Sequence, residues 1–177
     1  MDSMVNHYTA ARRRRSDDAY TPEGRAGARP DYCTTTYCRI LKQLYPDVPI
    51  VIGGIEASMR RLTHYDYWSD KLMPSILVDS GADMLVYGMG EKAILEIAEK
   101  GITHSIPQTA YIEKDASALP IDGIQLASHE QALRDKRVHA ENFRLIEIES
   151  NKIQQKTIIQ AVGKQYVVVN PSYEPMT

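Results

Sequence analysis

The sequence predicts an α/β fold, a doubly wound and mostly parallel sheet with flanking helices. Two strand-to-glycine junctions and one well-patterned helix carry that expectation. Pro49-Ile50-Val51-Ile52 is a buried-type apolar run that passes straight into Gly53-Gly54. Asp83-Met84-Leu85-Val86-Tyr87 passes likewise into Gly88-Met89-Gly90. Behind it, Glu91 to Lys100 spaces Ile94, Leu95 and Ala98 at helical intervals. Strand, glycine turn and helix in alternation is the pattern of βα units set side by side in a parallel sheet. A length of 177 residues, 43% of them hydrophobic, fits one domain over 1–177.

In chain order, Met1, Met4, Val5 and Tyr8 fall at helical spacing within 1–11, which predicts a short amphipathic helix. The stretch 12–29 is rich in Gly, Pro and charge and reads as a long surface loop. It offers little apolar area to offset an ordering cost of about 1–2 kcal/mol per residue, so it is expected to be mobile. Pro30-Asp31 opens a helix near 30–45, since proline suits a first turn, with Tyr37, Ile40, Leu41 and Leu44 on its apolar side. After the strand at 49–53, a short helix begins near Ile55, and residues 74–80 form another that Gly81 stops. Short strands are expected at Thr109–Ile112 and Gly123–Leu126. Ser128 caps a helix with Glu130 and Gln131 close behind, a capping-box-like start. A long helix is expected over 137–160, with Phe143, Ile146, Ser150 and Ile153 on one face, and Tyr166–Val169 closes as a strand.

Composition excludes several classes. A formal charge of −2 argues against a general nucleic-acid binder, and the Arg12–Arg15 run is followed at once by Asp17 and Asp18. No apolar run approaches the roughly 18 residues of a membrane span, so no membrane partner is expected. Cys33 and Cys38 are the only cysteines. On one helix a five-residue step turns about 140°, which separates the thiols, and two thiolates are too few for a cluster. Reduced, structural cysteines fit a cytoplasmic protein.

The candidate site lies at the carboxyl ends of the two clear strands, where open α/β sheets collect ligands. Gly53, Gly54 and Glu56 stand at the first exit, and Gly88, Gly90 and Glu91 at the second. The segment after the first exit is dense in polar and aromatic groups: Arg60, Arg61, His64, Tyr65, Asp66, Tyr67 and Trp68. Glu56 with Arg60 or Arg61 can also form an ordinary ion pair, and the glycines can serve close packing alone. On the functional reading both exits open onto one cleft that grips a polar or planar ligand.

The stretches GGIEASMRRLTHYDYWSDK and GADMLVYGMGEKAI, with the opening MDSMVNHYTAARRRRSDDAYTPEGRAGARPDY and the closing VVVNPSYEP, resemble the N-terminal region of the YgiQ-like family of radical SAM proteins. The resemblance implies a Rossmann-like, cobalamin-binding-like domain followed by a radical SAM barrel. In the full-length family a 4Fe-4S cluster and S-adenosylmethionine are implied. This chain has no Cys-x-x-x-Cys-x-x-Cys motif and no Asp-x-His-x-x-Gly motif, so no cofactor is expected in it. The expected partners are the radical SAM barrel of the same polypeptide and a substrate of unknown class, and the chain is expected to be a truncated domain lacking an upstream strand. The alternative is a free-standing Rossmann-like module that holds a nucleotide or phosphorylated metabolite at Gly88–Glu91.

Overall fold

The structure, a computed structural model, describes residues 3–174. Its first helix, α1 (Ser3–His7), is shorter than the spacing over 1–11 predicts. Tyr8 instead bridges Arg14, and Arg12 turns the chain at φ +58°. The part of that expectation resting on Met1 and the Met4 side chain lies outside the described residues. Helix α2 (Cys33–Leu44) follows, then strand β1 (Val51–Ile52), α3 (Gly54–Met59), β2 (His64–Asp66), β3 (Lys71–Met73) and α4 (Ile76–Ser80). The second half runs β4 (Met84–Val86), α5 (Glu91–Lys100), β5 (Thr109–Glu113), β6 (Ile124–Leu126), α6 (His129–Arg134), α7 (Lys136–Ser150), β7 (Ile158–Val162) and β8 (Gln165–Val169).

Six strands form one sheet in the order β1-β4-β5-β8-β7-β6, and β2 with β3 forms a separate hairpin. The expectation of a mostly parallel sheet is corrected here. Only β1/β4 and β6/β7 are parallel, whereas β4/β5, β5/β8 and β7/β8 are antiparallel. The connections explain it. After α5, the segment 101–108 returns to the end of β4 that the chain had left, where Tyr87 N–H donates to Gln108 O at 3.1 Å. β5 must then run backwards along β4. Between β7 and β8 stand only Gly163 and Lys164, with Gly163 at φ +61°, a two-residue loop that permits only a hairpin.

The core follows the period-two alternation of the strands. Leu85 and Val167 face a cluster with Ile76 and Leu77 of α4, Ile52 and Ile158. Val86 turns the other way onto Ala93 and Ile106, and Val168 onto Tyr111 and Ile159. The long helix expected over 137–160 ends at Ser150, and 158–162 is a strand. Buried Glu149 closes that boundary: it accepts from Lys152 Nζ at 2.6 Å and from the Lys156 N–H at 2.6 Å, which fixes a turn where the helix would have continued.

Helices α2 and α5 turn apolar residues outward. On α2, Tyr37, Ile40, Leu41 and Leu44 are 42–65% exposed, and the buried positions are Cys33, Thr35 and Cys38. On α5, Ile94 and Leu95 are 51% and 63% exposed while Ala93 is buried. The apolar side read for α2 is thus its outer side. Small Cys and Thr residues let α2 approach α4, and its large residues are left facing away.

Gln160, 1% exposed, joins three parts of the fold. Its Oε1 accepts from the Thr63 N–H at 2.9 Å and its Nε2 donates to Ala127 O at 3.1 Å. Gln160→Leu keeps the volume and strands the Thr63 N–H, while Ala127 O keeps its bond from Asn142 Nδ2, so it is expected to cost about 1–3 kcal/mol. Urea unfolding measures the loss, and hydrogen exchange at the Thr63 amide localises it. An unchanged Thr63 exchange rate would show that the bond holds nothing.

Candidate functional site

β1 and β4 are parallel neighbours, so their exits share one rim of the sheet. Gly53 packs so close that a Cβ there would stand 3.3 Å from Val86 O. Gly54 and Gly88 have φ of +83° and +67°, where any side chain would be strained. Ser58 of α3 links the two exits: its hydroxyl donates to Gly54 O at 2.7 Å and accepts from the Gly88 N–H at 3.1 Å. The Gln108 amide donates to Tyr87 O at 2.8 Å and to Met89 O. The second turn is thereby held by internal bonds, and Gly90 is confined by Val86 Cγ1, 3.0 Å from where its Cβ would be. Glu91 is exposed in the first turn of α5, a favourable place for a carboxylate beside the helix dipole.

Arg61 and Tyr87 stand at the same rim, though neither was singled out as a ligand contact. The guanidinium lies 4.9 Å from the Tyr87 ring centroid, and its Nη1 donates to Ser58 O at 2.6 Å. A cavity of about 230 Å³ opens beside them, lined also by Glu149 and Asn170. Burial lowers the Arg61 pKa, and burial raises that of Tyr87 to about 12 against the pull of the guanidinium. Arg61 Nε is buried with no hydrogen-bond partner among the described residues. The signal was present in the sequence: Tyr87 is the last apolar-run residue before the glycine turn, the position that faces a ligand in such sheets.

Glu56 is not on the open rim. It is 5% exposed and pairs with Arg60, Nη1 to Oε1 3.3 Å, within one turn of α3. With His64, Tyr32, Thr35 and Asp79 the pair lines a cavity of about 20 Å³, room for about one water. Burial lowers the His64 pKa to about 4, although its Nδ1 contact to Leu62 O at 3.1 Å opposes the shift, so the ring is neutral at pH 7. Burial and the bond to Asp66 raise Tyr32 to about 12, so its hydroxyl stays a donor. Asp66 accepts from Tyr32 Oη at 2.6 Å and from Ser69 Oγ at 2.6 Å. Burial opposes its ionisation, but these bonds outweigh it and hold its pKa below the usual range. The arrangement is a closed polar cluster of Glu56, Arg60, His64 and Asp66, not a lip.

The remaining predicted residues diverge. The segment dense in polar and aromatic groups contains the β2–β3 hairpin. Tyr67 Oη donates to Ala10 O at 2.9 Å, Arg12 lies 4.5 Å over its ring, and Trp68 packs on Tyr8 with centroids 5.1 Å apart. Tyr67 and Trp68 therefore clasp the N-terminal arm. Tyr65 points elsewhere, its hydroxyl on Asp70 Oδ1 at 2.5 Å. The structure thus brings Gly53, Gly54, Gly88 and Gly90 together, and separately Glu56, Arg60, His64 and Asp66. It leaves Tyr65, Tyr67 and Glu91 in three other surroundings.

The arm itself is a cluster that composition gave no sign of. Asp18, 2% exposed, accepts from Arg29 Nε at 2.7 Å and Nη2 at 2.9 Å and lies 3.3 Å from His7 Nε2. His7 Nδ1 lies 2.8 Å from Asp31, which also accepts from Tyr8 Oη at 3.0 Å. The loop expected to be mobile is thus tied at its centre.

Both cysteines are free and buried on α2. Cys33 Sγ donates to Pro30 O at 2.9 Å and stands 3.6 Å from Arg29 Nη1. Burial raises the Cys38 thiol pKa. Among the described residues no group of three or more His, Cys, Asp or Glu side chains is arranged to hold a metal ion. These residues do not fit an iron–sulfur cluster. No helix among the described residues is long and apolar enough to cross a membrane.

The radical SAM N-terminal family matches residues 1–177. A UPF0313 protein of Porphyromonas gingivalis is 56% identical over 186 residues, which cover 100% of this chain and 29% of that protein. One from Bacteroides thetaiotaomicron is 53% identical, covering 100% of this chain and 32% of its own length. A third, from Clostridium perfringens, is 46% identical over 100% of this chain and 28% of its own. The chain thus spans about 30% of the curated relatives it matches. No solved structure matches it.

Proposed function

We propose that this chain, which belongs to the radical SAM N-terminal family, is the domain that a longer radical SAM protein sets against its catalytic barrel. The observation that carries this reading is the outward apolar face of α2, with Leu44 and Tyr45 65% and 58% exposed. Contiguous apolar surface of that kind marks an interface. Relatives more than three times the length of this chain supply polypeptide to cover it. On this reading the half β1–α3 to β4–α5, with its parallel strands and glycine exits, is the Rossmann-like part of the domain. Free buried cysteines are in keeping with a cytoplasmic, reducing setting.

On this reading the barrel holds the 4Fe-4S cluster and S-adenosylmethionine, and the Gly53–Gly88 rim with Arg61 and Tyr87 faces the substrate side. This chain supplies no cluster ligand set, so no step of the radical chemistry is assigned to it. A free-standing module using Gly88–Glu91 for phosphate is the weaker reading, because the Gly88 N–H already donates to Ser58.

The test compares this chain with the full polypeptide. Anaerobic reconstitution with iron and sulfide is expected to give stoichiometric cluster absorption only in the full polypeptide. Hydrogen exchange over 37–48 is expected to slow at least tenfold there relative to the chain alone. A cluster formed by the chain alone, or equal exchange over 37–48 in both, defeats the proposal.

A further inference from the structure

A cavity larger than the one at the sheet rim lies away from that rim and from the outer face of α2. It opens between the β2–β3 hairpin and the α6–α7 pair and measures about 630 Å³. That is within the size range of small-molecule sites, roughly 300–1,000 Å³. Its walls are fixed to each other and are not two independent flaps. At the root of the hairpin, the Thr63 N–H donates to Gln160 and Thr63 Oγ1 lies 3.0 Å from Nδ1 of buried His129, the first residue of α6. Gln160 in turn bonds Ala127, just ahead of that helix.

The lining has two chemical halves. Leu72 of the hairpin and Leu133 of α6 give an apolar floor, Leu133 being 54% exposed. Lys71 and Lys136, on opposite walls, supply two ammonium groups, and neither makes an ion pair among the described residues. Asp70 brings the one carboxylate, and Tyr65 already donates to it at 2.5 Å. His139 completes the wall. Its Nδ1 is buried without a hydrogen-bond partner among the described residues. Burial lowers the ring's pKa, in keeping with a neutral imidazole.

We infer that this cavity is a binding site for a small amphiphilic anion, an aryl or acyl body carrying a phosphate or carboxylate. The body lies on Leu72 and Leu133, and the charged head is held between Lys71 and Lys136. Two cations against one already bonded carboxylate leave a net attraction for a negative head. The floor distinguishes such a ligand from a bare anion. This inference does not depend on how the domain meets the rest of the polypeptide, because none of these residues belongs to the rim or to the face of α2.

The test is calorimetric titration of the full polypeptide with 1-naphthyl phosphate, inorganic phosphate and 1-naphthol as separate probes. Hydrogen exchange read by mass spectrometry localises the binding. Saturable binding of 1-naphthyl phosphate is expected, at least tenfold tighter than either other probe, with protection over 70–73 and 132–139. Lys71→Gln with Lys136→Gln should weaken it at least tenfold, and Leu133→Gln should do so independently. All three positions are exposed, so far-UV circular dichroism should be unchanged, and Lys71→Arg should retain binding. Inorganic phosphate binding as tightly as the aryl phosphate would reduce the site to a surface charge patch and overturn the inference. Protection confined to α2 or α5, or affinity unchanged in the double lysine variant, would overturn it as well.

Discussion

Asp18→Asn is expected to release the N-terminal arm while leaving the six-stranded sheet intact. The carboxylate accepts both prongs of Arg29, at 2.7 and 2.9 Å, and the Tyr20 N–H at 3.0 Å. An amide cannot accept two guanidinium bonds as a charge, and hydrogen bonds to charged groups are worth about 1.5–3 kcal/mol. At about 1.4 kcal/mol per factor of ten, arm opening should become roughly tenfold to a hundredfold more frequent. Trypsin cleavage within Arg12–Arg15 reads that opening directly, and an unchanged cleavage rate would refute the anchor. The pH dependence has a definite sign. Asp18's pKa is lowered first by Arg29, with burial acting against the shift and the Tyr20 N–H adding to it. Its contribution is therefore full above the unfolded carboxylate value of about 3.9 and is lost as pH falls through the lower folded value. The arm of the wild-type chain should open in acid, and that of Asp18→Asn should show no such step.

This anchor illustrates what a sequence withholds. Residues 12–29 have the composition of a mobile loop, and what ties them at Asp18 is a carboxylate with partners at positions 7 and 29. Local signals were read well. The α5 helix, the Gly81 stop of α4 and the Ser128 capping box with Gln131 stand where short-range chemistry put them. Strand direction was not local. The two glycine junctions were correct and their strands are parallel neighbours, but β5 and β8 take their direction from how 101–108 and Gly163-Lys164 return the chain. The candidate site divided for a similar reason. Adjacency of the two glycine exits follows from topology, whereas Glu56 sits on the inward side of α3 and joins His64 under the hairpin. Helical phase over six residues is too short a record to tell inward from outward. On α2 the phase is clear, and its apolar side faces away from this domain's core.

The Glu56–Arg60 pair offers the sharpest separation of structure from function. Glu56→Leu removes one partner of an ion pair whose guanidinium side chain is only 11% exposed, and breaking a buried pair costs up to about 3–5 kcal/mol. For a chain of this size that corresponds to a fall in the domain's melting temperature of roughly 6–20 °C. Replacing both partners, Glu56→Leu with Arg60→Met, exchanges the pair for apolar volume and should recover most of the loss, since buried pairs seldom out-stabilise a well-packed apolar substitute. The double variant thus isolates chemistry from folding. On the proposed reading the full polypeptide carrying it is expected to keep its cluster absorption and lose turnover at least tenfold, because the cavity of Glu56, His64 and Tyr32 under the hairpin would lose its ion pair. If the double variant regains stability and turnover together, the pair serves the fold alone. The functional reading of Glu56 would then give way to one in which Arg61 and Tyr87 are the polar groups of this rim that meet a substrate.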